Sequence, residues 1–104
     1  MNTQFKKGIL EMCILHLLSE EDLYGYMIIK KIQSLFDNTD ESTIYAILRR
    51  LNSLGLTDLY YKDSSDGPKR KYYSINKKGL QYLNNYIMNA KELYNILSKL
   101  GIKF

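Results

Sequence analysis

One cysteine, one proline and no tryptophan occur among the 104 residues of the chain, and these shortages exclude several kinds of protein. A lone Cys13 rules out an intrachain disulfide and a thiolate metal cluster, and it fits a reducing, cytoplasmic setting. No stretch approaches the roughly eighteen unbroken apolar residues of a membrane span. The N-terminal run MNTQFKKGILEMCILHLLSEED places lysines ahead of an apolar segment, as a signal peptide does, yet Glu11 and His16 interrupt it and no small-residue cleavage site follows. Internal repeats, low-complexity tracts and linkers are missing, so one compact unit is expected. Catalytic signatures are missing too, with no phosphate-binding Gly loop, His-based zinc motif or serine elbow. Cys13 and His16 share a helical face three residues apart, but neither a third ligand nor an orienting acid stands at readable spacing, so both are expected in the core. Glu20, Glu21 and Asp22 fit a solvated break between helices. The reading is therefore no enzyme, no cofactor and no metal.

Acidic charge is scarce in the second part of the chain. Residues 1–41 hold four lysines against seven acids, a net −3, whereas residues 42–104 hold eleven Lys and Arg against four acids, a net +7. A basic half points to a polyanion partner, although Lys-, Tyr- and Asn-rich usage also follows from genomic bias.

What is present is organised around Asp40 to Gly55. Ile44, Ile47, Leu48, Leu51 and Leu54 recur at three- and four-residue spacing and make one apolar stripe. Opposite it lie Ser42, Tyr45, Ala46, Arg49 and Asn52, a set that suits either a helix in a nucleic-acid groove or an ordinary solvated face. Asp40 is the expected N-cap, Glu41 suits the first turn and Gly55 is the expected stop. Before it, helices are expected from about Gln4 to Ser19 and from Leu23 to Phe36, the second with Ile28, Ile29, Ile32, Leu35 and Phe36 inward. Gly25 near its start serves a close approach of backbone or phosphate, or is a tolerated glycine in a frayed turn. The first helix is apolar round much of its girth and asks for cover on two sides.

After Leu56 the pattern changes to strands at Leu56–Asp63 and Arg70–Ile75, joined by the turn cluster Asp63–Pro68. The tip and returning strand carry Lys69, Arg70 and Lys71. Asn76 should cap a last helix running to about Leu100, roughly 35 Å long. It bears two stripes, Leu80, Leu83, Ile87, Ala90, Leu97 and Tyr82, Tyr86, Leu93, Ile96, Leu100. One can pack on the domain and the other has nothing left in this chain to cover it, so a dimer arm or a fraying end is expected.

The order helix, helix, helix, hairpin, helix is that of a winged helix-turn-helix, and four stretches resemble the PadR family of bacterial transcriptional regulators. These are LEMCILHLLSEEDLYGYMIIKKI with its Gly25-Tyr26, STIYAILRRLNSLGL at Ser42–Leu56, GPKRKYYSINKKG at Gly67–Gly79, and a single C-terminal helix, which resembles the compact subgroup. The resemblance implies an α+β, mainly α fold. Residues 1–76 would form the winged helix-turn-helix DNA-binding domain with a two-stranded wing, and residues 77–104 a long C-terminal dimerisation helix packed on it. It implies a homodimeric repressor on a pseudo-palindromic site in double-stranded DNA, relieved in some members by a small hydrophobic or aromatic effector. Carried over, Ser42, Thr43, Tyr45, Ala46, Arg49 and Arg50 form the recognition surface, Lys69, Arg70 and Lys71 the wing contacts, and Tyr24 and Gly25 touch the DNA backbone. Phe5, Ile9, Tyr82, Tyr86, Leu93, Ile96 and Leu100 belong to the dimer interface or an effector cavity. Ala46 stands where many members have Pro, and the Trp with which some sandwich planar ligands is absent here. The alternative is a winged-helix protein-interaction module that never binds DNA.

Overall fold

The computed structural model describes all 104 residues, the side chains of residues 3 and 4 excepted. In chain order it contains α1 (Thr3–Glu20), β1 (Leu23–Tyr24), α2 (Gly25–Leu35), α3 (Glu41–Ser53), β2 (Thr57–Ser64), β3 (Gly67–Ile75) and α4 (Lys77–Lys99). The core forms where three helical stripes meet the inner face of the sheet. Leu10, Ile14, Leu15 and Leu18 come from α1, Ile28, Ile29 and Ile32 from α2, and Ile44, Ile47, Leu48 and Leu51 from α3, closed by Leu56, Tyr73 and Leu83. Each helix thus buries the face that its i, i+3, i+4 apolar spacing defines.

Four sequence expectations shift at the helix ends. Leu23 and Tyr24 do not begin α2 but form β1, pairing antiparallel with Tyr73 and Tyr72 of β3. Leu35, expected inward, is 71% exposed because α2 ends there, and only Phe36 turns back onto the core. Likewise the stripe of α3 stops at Leu51, since Leu54 sits past the last turn and is 39% exposed. Asp40 holds the N-cap position with extended backbone, but its side chain makes no capping bond. Gly55 does end α3 as expected. At φ +77° it donates to Asn52 O (2.9 Å) while the Leu56 N–H donates to Leu51 O (3.0 Å), the paired bonds of a glycine-terminated helix.

The turn between α2 and α3 is tied down by two side chains that patterning alone would place in water. Lys6 Nζ donates to Thr39 Oγ1 at 3.0 Å, both residues being buried, and Gln33 Nε2 donates to Thr39 O at 3.0 Å.

The sheet order is β1-β3-β2, all antiparallel. The hairpin β2–β3 is the wing, and β1 adds a third strand at its base. Its register places Leu59 opposite Tyr73 and Tyr60 opposite Tyr72, with a shift between Lys62 and Ser64 near the tip.

Asn76 Oδ1 accepts the Gly79 N–H at 2.9 Å and starts α4. Here the helix meets the end of α3 so closely that a Cβ on Gly79 would lie 2.2 Å from Leu56 O. Lys78 Nζ donates to Leu54 O (2.8 Å) and Asn76 Nδ2 to Gly55 O (2.9 Å) across the same joint. Beyond it only Leu83 is fully buried, while Tyr82 and Tyr86 lie half-buried against α1. Neither expected stripe packs as a whole, since Leu80 and Ile87 of the first are exposed. From Ile87 onward the helix runs clear of the core, with Leu93 55% and Leu100 73% exposed. It ends at Gly101 (φ +92°) with the same bond pair that closes α3. The molecule measures 54 × 31 × 21 Å, the long axis reflecting this arm.

Candidate nucleic-acid interface

At about 100° per residue, positions 42, 45, 46 and 49 of α3 fall opposite the buried stripe, and Ser42, Tyr45, Ala46 and Arg49 are all exposed. The helix presents two flanks. On one, Tyr45 and Arg49 line a cleft of about 400 Å³ with Tyr24, Gly25 and Tyr26 from the start of α2 and Arg70, Lys71 and Tyr73 from the wing. Six of the sequence-designated residues are brought together here. Gly25 has a specific reason to lack a side chain, because its Cβ would stand 3.2 Å from Tyr45 Cε1. The close approach is by the Tyr45 ring, not by a second backbone.

The cations of this cleft rest on tyrosine faces. Arg70 Cζ lies 4.5 Å from the Tyr24 ring centroid and Lys71 Nζ 5.7 Å from that of Tyr73. Tyr60 and Tyr72 stack across the strands at 5.4 Å, and Tyr72 meets Tyr24 at 5.6 Å. Lys62 covers Tyr72 and Lys30 covers Tyr26. Lys30 and Lys62 were given no site role from the sequence, and no local pattern marks either of them; Tyr26 entered only as the partner of Gly25 in the family resemblance. The Tyr60 hydroxyl donates to Asp22 Oδ2 at 2.7 Å, and this bond above all pushes the phenol up to about 12. Burial first, then Tyr45 and Tyr61, raises the Tyr73 phenol, with Arg49 pulling the other way. At the tip Asp66 accepts from Ser64 Oγ (2.8 Å) and Arg70 Nη2 (3.4 Å), which hold its carboxyl below the usual range. Lys69 is exposed.

The other flank of α3 looks onto α1. Thr43, Ala46 and Arg50 line a cleft of about 320 Å³ with Lys6, Lys7, Leu10 and Ile47. Arg50 does not share the open outer face with Arg49, because its Nη1 is hydrogen-bonded to Glu11 Oε1. The Tyr82 hydroxyl first, then the charge of Glu11, raises the guanidinium pKa.

The residues assigned to a dimer interface or effector cavity do not form one pocket. Phe5, Ile9, Tyr86 and Leu93 line a groove of about 270 Å³ between α1 and α4. Tyr82 turns away onto Glu11, and Ile96 and Leu100 lie farther along the exposed arm. A neighbouring groove of about 290 Å³ is lined by Met12, Cys13, His16, Leu17, Ile32, Leu35 and Ile87. Burial raises the Cys13 thiol, the opposite of what a nucleophile needs. His16, expected in the core, is exposed and faces Glu20 at 3.4 Å. No group of three metal ligands exists among the described residues, nor is any helix long and apolar enough to cross a membrane.

This architecture recurs in solved structures. A PadR-like transcriptional regulator of Bacillus cereus ATCC 14579 matches with TM-score 0.85 and 36% identity, covering 98% of this chain and 100% of that one. A Streptococcus transcriptional regulator also has TM-score 0.85, at 28% identity over 97% of this chain and 100% of its own. A PadR-like transcription factor of Bacteroides fragilis gives 0.80 at 35% identity, covering 94% and 95%. An uncharacterized protein of Lysinibacillus sphaericus is 38% identical over 94 residues, 88% of this chain and 86% of the relative. The model of the transcriptional regulator PadR-like family matches residues 14–85. With the winged helix, the wing and the long last helix all in place, the chain belongs to the PadR-like family of transcriptional regulators.

Proposed function

We propose that the protein is a cytoplasmic, homodimeric repressor that binds a pseudo-palindromic operator in double-stranded DNA. The observation that carries this is the cleft in which Tyr45 and Arg49 of α3 face Arg70 and Lys71 of the wing. A helix with an open outer face beside a basic hairpin is built to sit in the major groove while the hairpin holds the flanking backbone. Ser42, Tyr45, Ala46 and Arg49 meet base edges, Thr43 lies at the rim, and Lys69, Arg70 and Lys71 neutralise phosphates with Tyr24 and Gly25 beside them. Arg50 stays on Glu11 and supports the helix from behind.

Residues 1–76 act as the DNA-binding part and residues 77–104 as the dimerisation helix. Ile87, Leu93, Ile96 and Leu100 form an apolar surface with no cover in the chain, and a second copy offers matching cover under two-fold symmetry. The groove of Phe5, Ile9, Tyr86 and Leu93 is the place for a small hydrophobic or aromatic effector that relieves repression.

Gel shift against the upstream region of its own gene, repeated across a salt series, tests the reading. Specific retardation whose affinity falls steeply with salt is expected. Absence of binding to any upstream duplex at low salt overturns it in favour of a protein-docking winged helix.

A further inference from the structure

Glu11 lies in the middle of the apolar run of α1, with its side chain 5% exposed, and divides its two oxygens between two other helices. Oε1 takes Nη1 of Arg50 from α3. Oε2 faces the Tyr86 hydroxyl at 3.3 Å and the Tyr82 hydroxyl at 3.5 Å, both from α4. Tyr86 is seated directly on α1, since a Cβ on Gly8 would lie 2.7 Å from its hydroxyl oxygen. One carboxylate therefore joins the three helices.

Filling that space does not require charge. An apolar trio of similar volume is often as stable as a buried ion pair, and what the polar network adds is directional geometry. The direction that matters is the angle of α4. Its first turn is pinned to the end of α3 by Lys78, Asn76 and the glycine contact described above, which makes a pivot at Gly79. Tyr86 lies about 10 Å along the axis from that pivot and Lys99 about 30 Å, at roughly 1.5 Å per residue. Slack of about 1 Å at the tyrosines becomes about 3 Å at the tip of the arm, close to the roughly 3.4 Å rise of one base pair.

Building on the proposed operator binding by a dimer, we propose that Glu11 is a positioning residue that locks the arm to α3 and thereby sets the spacing between the two half-sites. The pair Arg50–Glu11 carries the angle from α4 to the DNA-reading helix, and Tyr82 and Tyr86 are its handles.

The test starts by selecting the preferred duplex of the wild-type protein from a random pool, then moving its two halves apart or together by one and two base pairs. Glu11→Gln and the milder Tyr82→Phe/Tyr86→Phe double variant are compared with wild type on these duplexes and on an isolated half-site, with helical content checked by circular dichroism. Wild type is expected to lose about tenfold or more for each base pair of displacement, the behaviour of a bivalent binder with rigid geometry. The variants should stay dimeric in sedimentation, hold the half-site within about twofold, lose about tenfold on the preferred full site, and vary by less than about threefold across spacers of −1, 0 and +1. Loss of the dimer would overturn the positioning role. A wild-type spacer profile in the variants, or parallel loss on half-site and full site, overturns the inference. The double variant keeps the Glu11–Arg50 pair, so it decides the matter if Glu11→Gln fails to fold. A wild-type protein that selects no two-part site overturns the operator reading itself, and is recognised because it is the unaltered chain that fails.

Discussion

The body of the molecule and its arm treat apolar side chains in opposite ways. From Leu10 to Leu83 the leucines and isoleucines of the helix stripes are nearly all buried, whereas from Ile87 to Phe104 nearly every large apolar residue is exposed. The same chain therefore completes one hydrophobic core and begins another. Stability resides in the first, and association is expected of the second. Substitutions at the joint, on the arm and on the outer face of the body should separate these roles.

The largest effect is expected at the joint. In Gly79→Ala the new methyl would meet Leu56 O and Ile75 Cγ1 well inside contact distance, so α4 must lift away from the end of α3. We expect a loss of about 3 kcal/mol in urea unfolding, and wild-type stability would show that the joint is softer than described. On the arm, Leu93→Asp with Leu100→Asp should convert a dimer to a monomer in sedimentation while leaving the body folded. Loss of the helical signal along with the dimer would mean that body and arm are one cooperative unit.

The outer face should affect DNA alone. Arg49→Ala is expected to cost about 1–3 kcal/mol on the operator and to relax sequence preference. Lys69→Ala should weaken all duplexes alike and lower the salt slope by about one. Equal losses for both on operator and random duplex would erase the division between α3 and the wing. The smallest effect concerns Tyr60, whose phenol is raised from 10 to about 12 by Asp22. A raised phenol means that the protonated form is favoured in the fold. That contribution is present below pH 10 and is given up between pH 10 and about 12. NMR titration should find one tyrosine near 12, and Asp22→Asn should bring it down. A wild-type midpoint near 10 contradicts the bond.

Much of this was legible because it depends on local periodicity or on single-residue backbone needs. The stripe Ile44, Ile47, Leu48, Leu51, the stop at Gly55 and the cap at Asn76 are all features that three or four adjacent residues determine. The winged fold followed from the order of such pieces and from the resemblance they carry. Long-range ties were not legible. Glu11 was read as an interruption of the apolar run and Lys6 only as a charge ahead of it, yet partners 39 and 33 residues away take both inside. Helical phase already put Arg49 opposite the stripe and Arg50 at its edge, but the pairing of Arg50 with Glu11 depends on where α1 lies and was not legible. β1 escaped because two residues have no period, and Gly25 stayed open between a close approach of backbone or phosphate and a tolerated glycine because its neighbour, the Tyr45 ring, was not identifiable.

That two-residue strand has a consequence for motion. β1 holds the wing only at Tyr72 and Tyr73, leaving the hairpin beyond them as a two-stranded ribbon with an irregular register at its tip. Amide hydrogen exchange should therefore be graded along the wing, slow at the base and fast from Lys69 outward to Ser65. A ligand gripping the tip would find it adaptable, while the cations nearest α3 are held ready by a base that also starts α2. The wing thus has a stiff root and a compliant end, and its ordering cost on binding falls on the few residues past the clamp.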